Sequence, residues 1–127
     1  MAGRAARVLV VDDDPATRDI LDRFLGERGY DVESADDGEE ALRFIESYEP
    51  DIVLLDIRMP RMDGIECLAR IVEDELECGV IMISGEADVE VARETLQSGA
   101  ADFIFKPFDL DYLETSLMAK LLAMGRP

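Results

Sequence analysis

The chain has 127 residues, 48% hydrophobic and 34% charged, a balance that fits one globular domain with a single core rather than a disordered chain. Thirty Asp and Glu against 13 Lys and Arg leave a net charge of -17, which argues against direct nucleic-acid binding, because phosphate contacts need clustered basic side chains. Histidine is absent, which excludes histidine triads, histidine metal sites and a phosphohistidine on this chain.

In chain order, Arg7 to Val11 reads as a short buried strand that runs into Asp12, Asp13 and Asp14. Asp14 followed by Pro15 is an N-cap with proline in the first helical position. The helix that follows has Ile20, Leu21, Phe24 and Leu25 as its apolar face and ends at Gly29, where a left-handed residue is wanted. Asp31 to Ala35 is a more polar strand, suited to a sheet edge. Gly38 to Ser47, with Ala41, Leu42 and Ile45 on one side, is the second helix, stopped by Glu49 and Pro50. Asp51 to Leu55 is an apolar strand suited to burial on both faces.

A proline and glycine loop from Ile57 to Gly64 leads to a third helix, with Ile65, Leu68, Ala69 and Val72 at helical spacing. Val80 to Ile83 is a fully apolar strand, Asp88 to Ser98 the fourth helix, closed by Gly99, and Asp102 to Phe105 the fifth strand. The fifth helix begins near Asp109 and runs to about Met124, with Leu110, Leu113, Leu117, Leu121 and Met124 in one stripe. The first half of that stripe reads as core packing, and the second half suits a linker helix or a homodimer seam. Five βα units imply an α/β fold, a right-handed, parallel, three-layer sandwich spanning residues 1–127, with 1–6 a disordered or tag-like N-terminus and 125–127 a tail.

No apolar run reaches membrane-spanning length and residues 1–7 lack the apolar stretch of a signal peptide, so a cytoplasmic protein is expected. Cys67 and Cys78 fall outside any metal-ligand spacing and read as thiols.

In a parallel sheet the C-terminal strand ends share one edge, which gathers Asp12, Asp13 and Asp56 with Ser84 and Lys106. Carboxylates packed together repel unless a cation lies among them, and an all-oxygen set favours a hard ion such as Mg2+. Asp56, beside the Asp12-Asp13 turn, is then a candidate nucleophile, since a carboxylate can form an acyl phosphate. Lys106 and Ser84 supply a fixed cation and a hydroxyl for the phosphoryl oxygens. Taken singly, Lys106 is an ordinary solvated lysine, Ser84 a turn residue and Asp14 a helix cap; the conjunction carries the signal.

The motifs Val8-Leu-Val-Val-Asp-Asp13, Leu55-Asp-Ile-Arg-Met-Pro60, Met62-Asp-Gly64, Ser84-Gly85 and Lys106-Pro-Phe108 together resemble the response-regulator receiver domains of two-component signalling, of the chemotaxis-regulator type. The resemblance implies a flavodoxin-like (βα)5 fold with strand order 2-1-3-4-5. It implies that Asp56 accepts a phosphoryl group from a sensor histidine kinase, a phosphotransfer protein or a small phosphodonor. Asp13, Asp56 and the backbone carbonyl of Arg58 would ligate Mg2+, with Asp12 acting directly or through water. Lys106 would pair with the phosphoryl oxygens and Ser84 would move to meet them. Phe103 stands at the switch-aromatic position, where it lacks the hydroxyl of the common tyrosine and couples to Ser84 by packing. Arg58 and Glu86 would flank the site and tune hydrolysis, and Pro107 would follow a cis peptide bond. Such a domain is no free-standing enzyme but catalyses its own phosphorylation and slow dephosphorylation, and signals to an output domain or effector through its fourth helix, fifth strand and fifth helix.

Two alternatives stand beside this one. Asp12-x-Asp14 after a strand also resembles haloacid-dehalogenase-type phosphatases, although only Asp109 and Asp111 follow Lys106 as an acidic pair. A pseudo-receiver that keeps the fold and ignores phosphate is the other, and the intact Asp12, Asp13, Asp56, Ser84 and Lys106 set counts against it.

Overall fold

Strands rich in Val, Ile and Leu alternate with amphipathic helices throughout the computed structural model, which describes residues 5–85 and 89–126. The order is β1 (Arg7–Val11), α1 (Pro15–Glu27), β2 (Asp31–Ala35), α2 (Gly38–Tyr48), β3 (Ile52–Asp56), α3 (Gly64–Glu73), β4 (Gly79–Ser84), α4 (Val89–Gln97), β5 (Asp102–Phe105) and α5 (Leu110–Ala123). The five strands form one parallel sheet in the order β2-β1-β3-β4-β5. This is the flavodoxin-like arrangement, and the expected elements are all present.

The period-two alternation of strand side chains divides the core in two. Leu9, Val11, Val53, Leu55, Val80, Met82 and Phe103 point to the side covered by α2, α3 and α4. Val8, Val10, Ile52, Leu54, Ile81, Ile83 and Ile104 point to the side covered by α1 and α5. The central strands β3 and β4 are buried along their whole length, whereas β2, at the edge, alternates exposed and half-buried residues before Ala35.

Among the described residues, Asp14, Asp37, Asp63 and Asp109 each cap a helix, accepting a hydrogen bond from a backbone N–H of its first turn. At the opposite edge of the sheet the buried Asp51 accepts from the Arg7 amide at 2.8 Å and pairs with Arg126, just beyond α5.

Two helix faces differ from the sequence expectation. In α3 the buried residues are Gly64, Cys67, Leu68 and Ile71, while Ile65 and Val72 are 42% and 49% exposed and Ala69 also faces out. A Cβ on Gly64 would overlap the Asp56 carbonyl oxygen, so the helix must start with that residue against β3. That contact sets the rotation, and Ile65 and Val72, each one residue further along, lie about 100° around the axis. In α1, Leu21 and Leu25 are buried and Ile20 is 53% exposed.

The α5 stripe is core along its full length: Leu113, Leu117 and Leu121 are buried, and Leu110 and Met124 pack against them. A dimer seam on Leu121 and Met124 is therefore corrected, because those side chains turn inward. The exposed large apolar residues of α5 are Tyr112, Met118 and Leu122.

Candidate functional site

The parallel register delivers the expected residues to one edge. Asp56 ends β3 opposite Ile83 of β4, and Ser84 pairs with Phe105, one residue before Lys106. The Lys106 amide donates to the Ser84 carbonyl at 2.7 Å, which extends the β4–β5 ladder to the lysine. The Lys106–Pro107 peptide bond is cis.

Asp12, Asp13 and Asp56 each offer a carboxylate oxygen, and these three atoms lie within 4.8 Å of one another. Asp12 and Asp56 are buried and Asp13 is exposed, so the cluster forms a shallow, half-open crevice. Lys106 Nζ lies 2.9 Å from Asp12 Oδ2 and 3.6 Å from Asp56 Oδ2. The second Asp12 oxygen accepts the Asp14 amide at 2.9 Å, which turns the chain into α1.

The electrostatics follow from this packing. Burial, and then the charge of Asp12, push the Asp56 carboxyl up to about 6, against the opposing pull of Lys106 and the Ile57 amide. Burial works against the Lys106 ammonium, yet its hydrogen bond to Asp12 and the charges of Asp56 and Asp12 hold it above its ordinary range. Lys106 thus pairs with two of the three carboxylates. The all-oxygen donor set and the uncompensated negative charge suit a hard divalent cation.

Arg58 is exposed in the loop after Asp56 and lines, with Ser84, Met59 and Ile65, a cavity of about 360 Å³ beside the cluster. Phe103 is buried and its ring centroid lies 5.0 Å from that of the half-exposed Phe105. Glu86 lies outside the described residues, as does Asp88, the expected start of α4.

Two contacts escaped the sequence reading. Arg18 Nη1 donates to the Asp12 carbonyl at 2.6 Å, reaching back from the first turn of α1. Arg61, in the loop between β3 and α3, pairs with the buried Asp37 at the start of α2. A basic side chain one turn past an acidic triplet was a signal for the first; the second depends on a loop path that no periodicity encodes.

Residues 8–118 match the model of the response regulator receiver domain, and the chain belongs to that family. The haloacid-dehalogenase alternative is thereby set aside. The regulatory protein AtoC of Escherichia coli is 42% identical over 107 residues, 84% of this chain and 23% of that protein. The response regulator MprA of Mycolicibacterium vanbaalenii is 41% identical over 115 residues, 91% of this chain and 50% of that protein. The chain therefore spans half or less of the length of these two relatives. Among solved structures, a chain of the CheX-CheY-BeF3-Mg+2 complex from Borrelia burgdorferi superposes with a TM-score of 0.86 at 38% identity, covering 92% of this chain and 90% of that one. No helix among the described residues is long and apolar enough to cross a membrane.

Proposed function

We propose that the whole chain acts as one cytoplasmic receiver domain that accepts a phosphoryl group on Asp56 from a sensor histidine kinase or phosphotransfer protein. The observation that carries this reading is the convergence of Asp12, Asp13 and Asp56 with Lys106 at one sheet edge. An Asp56 oxygen attacks phosphorus, the bond from phosphorus to the donor's imidazole nitrogen breaks, and an acyl phosphate forms. Lys106, already held between two carboxylates, remains to pair with the incoming phosphoryl oxygens, and the Ser84 hydroxyl donates to another of them.

Asp12, Asp13, Asp56 and the Arg58 carbonyl would hold Mg2+, which when bound offsets the charge that the phosphoryl group brings to an already negative site. The CheX-CheY-BeF3-Mg+2 complex lends support from a relative. Arg58 and Glu86, which follow Asp56 and Ser84 by two residues in the sequence, would tune hydrolysis of the acyl phosphate.

The signal leaves through α4, β5 and α5, coupled to Ser84 by the packing of Phe103. Val89, Leu96, Phe105, Tyr112, Met118 and Leu122 expose apolar surface on these elements, which suits an output domain, an effector protein or a second copy of the chain. The net charge of -17 supports a domain that does not itself bind nucleic acid.

Incubation with acetyl phosphate and Mg2+, followed by intact mass measurement, tests the reading. A stable single phosphoryl adduct is expected. Fast turnover without an adduct would indicate a phosphatase, and no reaction would indicate a pseudo-receiver.

A further inference from the structure

The loop from Ile57 to Asp63 follows the nucleophile, and its path is fixed by contacts at both ends. Near β3, the Gly64 amide donates to the Ile57 carbonyl at 2.8 Å. At the far end the Gly38 amide donates to the Met62 carbonyl at 3.2 Å, and a Cβ on Gly38 would sit 2.8 Å from Met62 Cγ and from its carbonyl oxygen. Between these points Arg61 has a φ of +65°, in the left-handed region that a side chain rarely occupies unless its surroundings demand it.

The demand comes from Asp37. Arg61 Nε donates to Asp37 Oδ2 at 2.8 Å, a second guanidinium nitrogen bonds the same oxygen, and Asp36 lies 3.9 Å away. Asp37 is 2% exposed and its other oxygen caps α2 through the Glu40 amide at 2.8 Å. Its carboxyl is held below the usual range, first by the Glu40 amide and then, against burial, by Arg61. A guanidinium is the side chain suited to such a multidentate grip.

We propose that the Asp37–Arg61 pair is a positioning device for the metal site: by tying the left-handed turn at Arg61 to the start of α2, it fixes the loop that begins at Asp56 and carries the Arg58 carbonyl. This rests on the proposed Mg2+-dependent function. Neither residue belongs to the Asp12, Asp13 and Asp56 cluster; they act through the backbone between Asp56 and Gly64. Outer-shell contacts of this kind set how well ligands are preorganised and so how tightly a metal binds.

The test is a titration of Mg2+ alone, followed by melting temperature and by calorimetry, on the full chain and on Arg61→Gly and Asp37→Asn. Glycine accepts the left-handed φ, so Arg61→Gly removes the tie without adding backbone strain, and asparagine keeps the α2 cap while discarding the charge. Each variant is expected to need about tenfold more Mg2+, the lower end of what outer-shell partners contribute. The double variant should be no weaker than the worse single, because both remove one tie. The phosphorylation rate at saturating Mg2+ should return to the parent value. A purely structural role would lower melting in chelator and leave Mg2+ affinity unchanged, which overturns the proposal. Parent-like Mg2+ affinity in both variants also overturns it while leaving the proposed function standing. A parent chain that shows no response to Mg2+ removes both.

Discussion

Lys106 Nζ lies 2.9 Å from Asp12 Oδ2 although 94 residues separate the two in the chain, and the same ammonium is 3.6 Å from Asp56 Oδ2. The lysine therefore neutralises part of the acidic cluster. Replacing it with alanine leaves Asp12 and Asp56 facing each other without a fixed cation. Phosphorylation of Lys106→Ala by acetyl phosphate should slow by about 10²-fold, the loss typical of one preorganised donor. Intact mass time courses at saturating Mg2+ measure this, and a parent-like rate would remove Lys106 from the site.

The Asp56 carboxyl, pushed up to about 6 by burial and by Asp12, makes metal-free stability depend on pH. An unfolded aspartate titrates near 4, so between about pH 4 and pH 6 the folded state binds more protons than the unfolded one. Stability from this group is present in full below pH 4 and is lost as pH rises through about 6. In chelator, Asp56→Asn should thus gain on the parent by about 1–2 kcal/mol as pH goes from 4 to 7, after discounting for solvent screening. Urea unfolding of both proteins across this range isolates the effect, since every other group is common to the pair. A constant difference would contradict the assignment.

Gly64 is pressed against the Asp56 carbonyl, and a methyl group there must displace either the Asp56 backbone or the start of α3. Gly64→Ala should lose several kcal/mol, about 2–4, by analogy with overpacked and strained sites. Denaturant midpoints check this. A change under about 0.5 kcal/mol would mean that the β3–α3 junction is looser than described.

Burial pushes the Cys67 thiol up to about 12 and Cys78 up to about 11, with the neighbouring Cys78 adding to the first. Both should resist modification in the native state at pH 8, because the thiolate is the reactive form. Cys67, fully buried, should react only at the rate of unfolding. Rapid labelling of either thiol in the folded protein would rule this out.

The strand ends were legible because a parallel sheet gathers them on one edge whatever the helices do, so Asp12, Asp13, Asp56, Ser84 and Lys106 could be placed together from sequence. The α3 face was not. Ile65, Cys67, Leu68, Ile71 and Val72 spread over an arc of about 160° of that helix, wider than the face it buries, and the close approach of Gly64 to β3 favours the side of Cys67, Leu68 and Ile71. The Asp37–Arg61 tie was hidden for a different reason: it needs a left-handed Arg61, a loop conformation that sequence spacing does not specify. The α5 stripe was read correctly as apolar but divided wrongly between core and seam, since the sheet is long enough for Leu121 to pack beside Leu117.

The central claim is that Asp56 is the phosphoacceptor and that a divalent cation is needed to charge it. Peptide mapping by tandem mass spectrometry, after acetyl phosphate treatment with Mg2+ or with chelator, tests this directly. The expected result is one acid-labile phosphoryl group on the peptide containing Asp56, present with Mg2+, absent in chelator and absent from Asp56→Asn. An adduct on another aspartate formed at a similar rate in Asp56→Asn, or equal labelling with and without Mg2+, would contradict it.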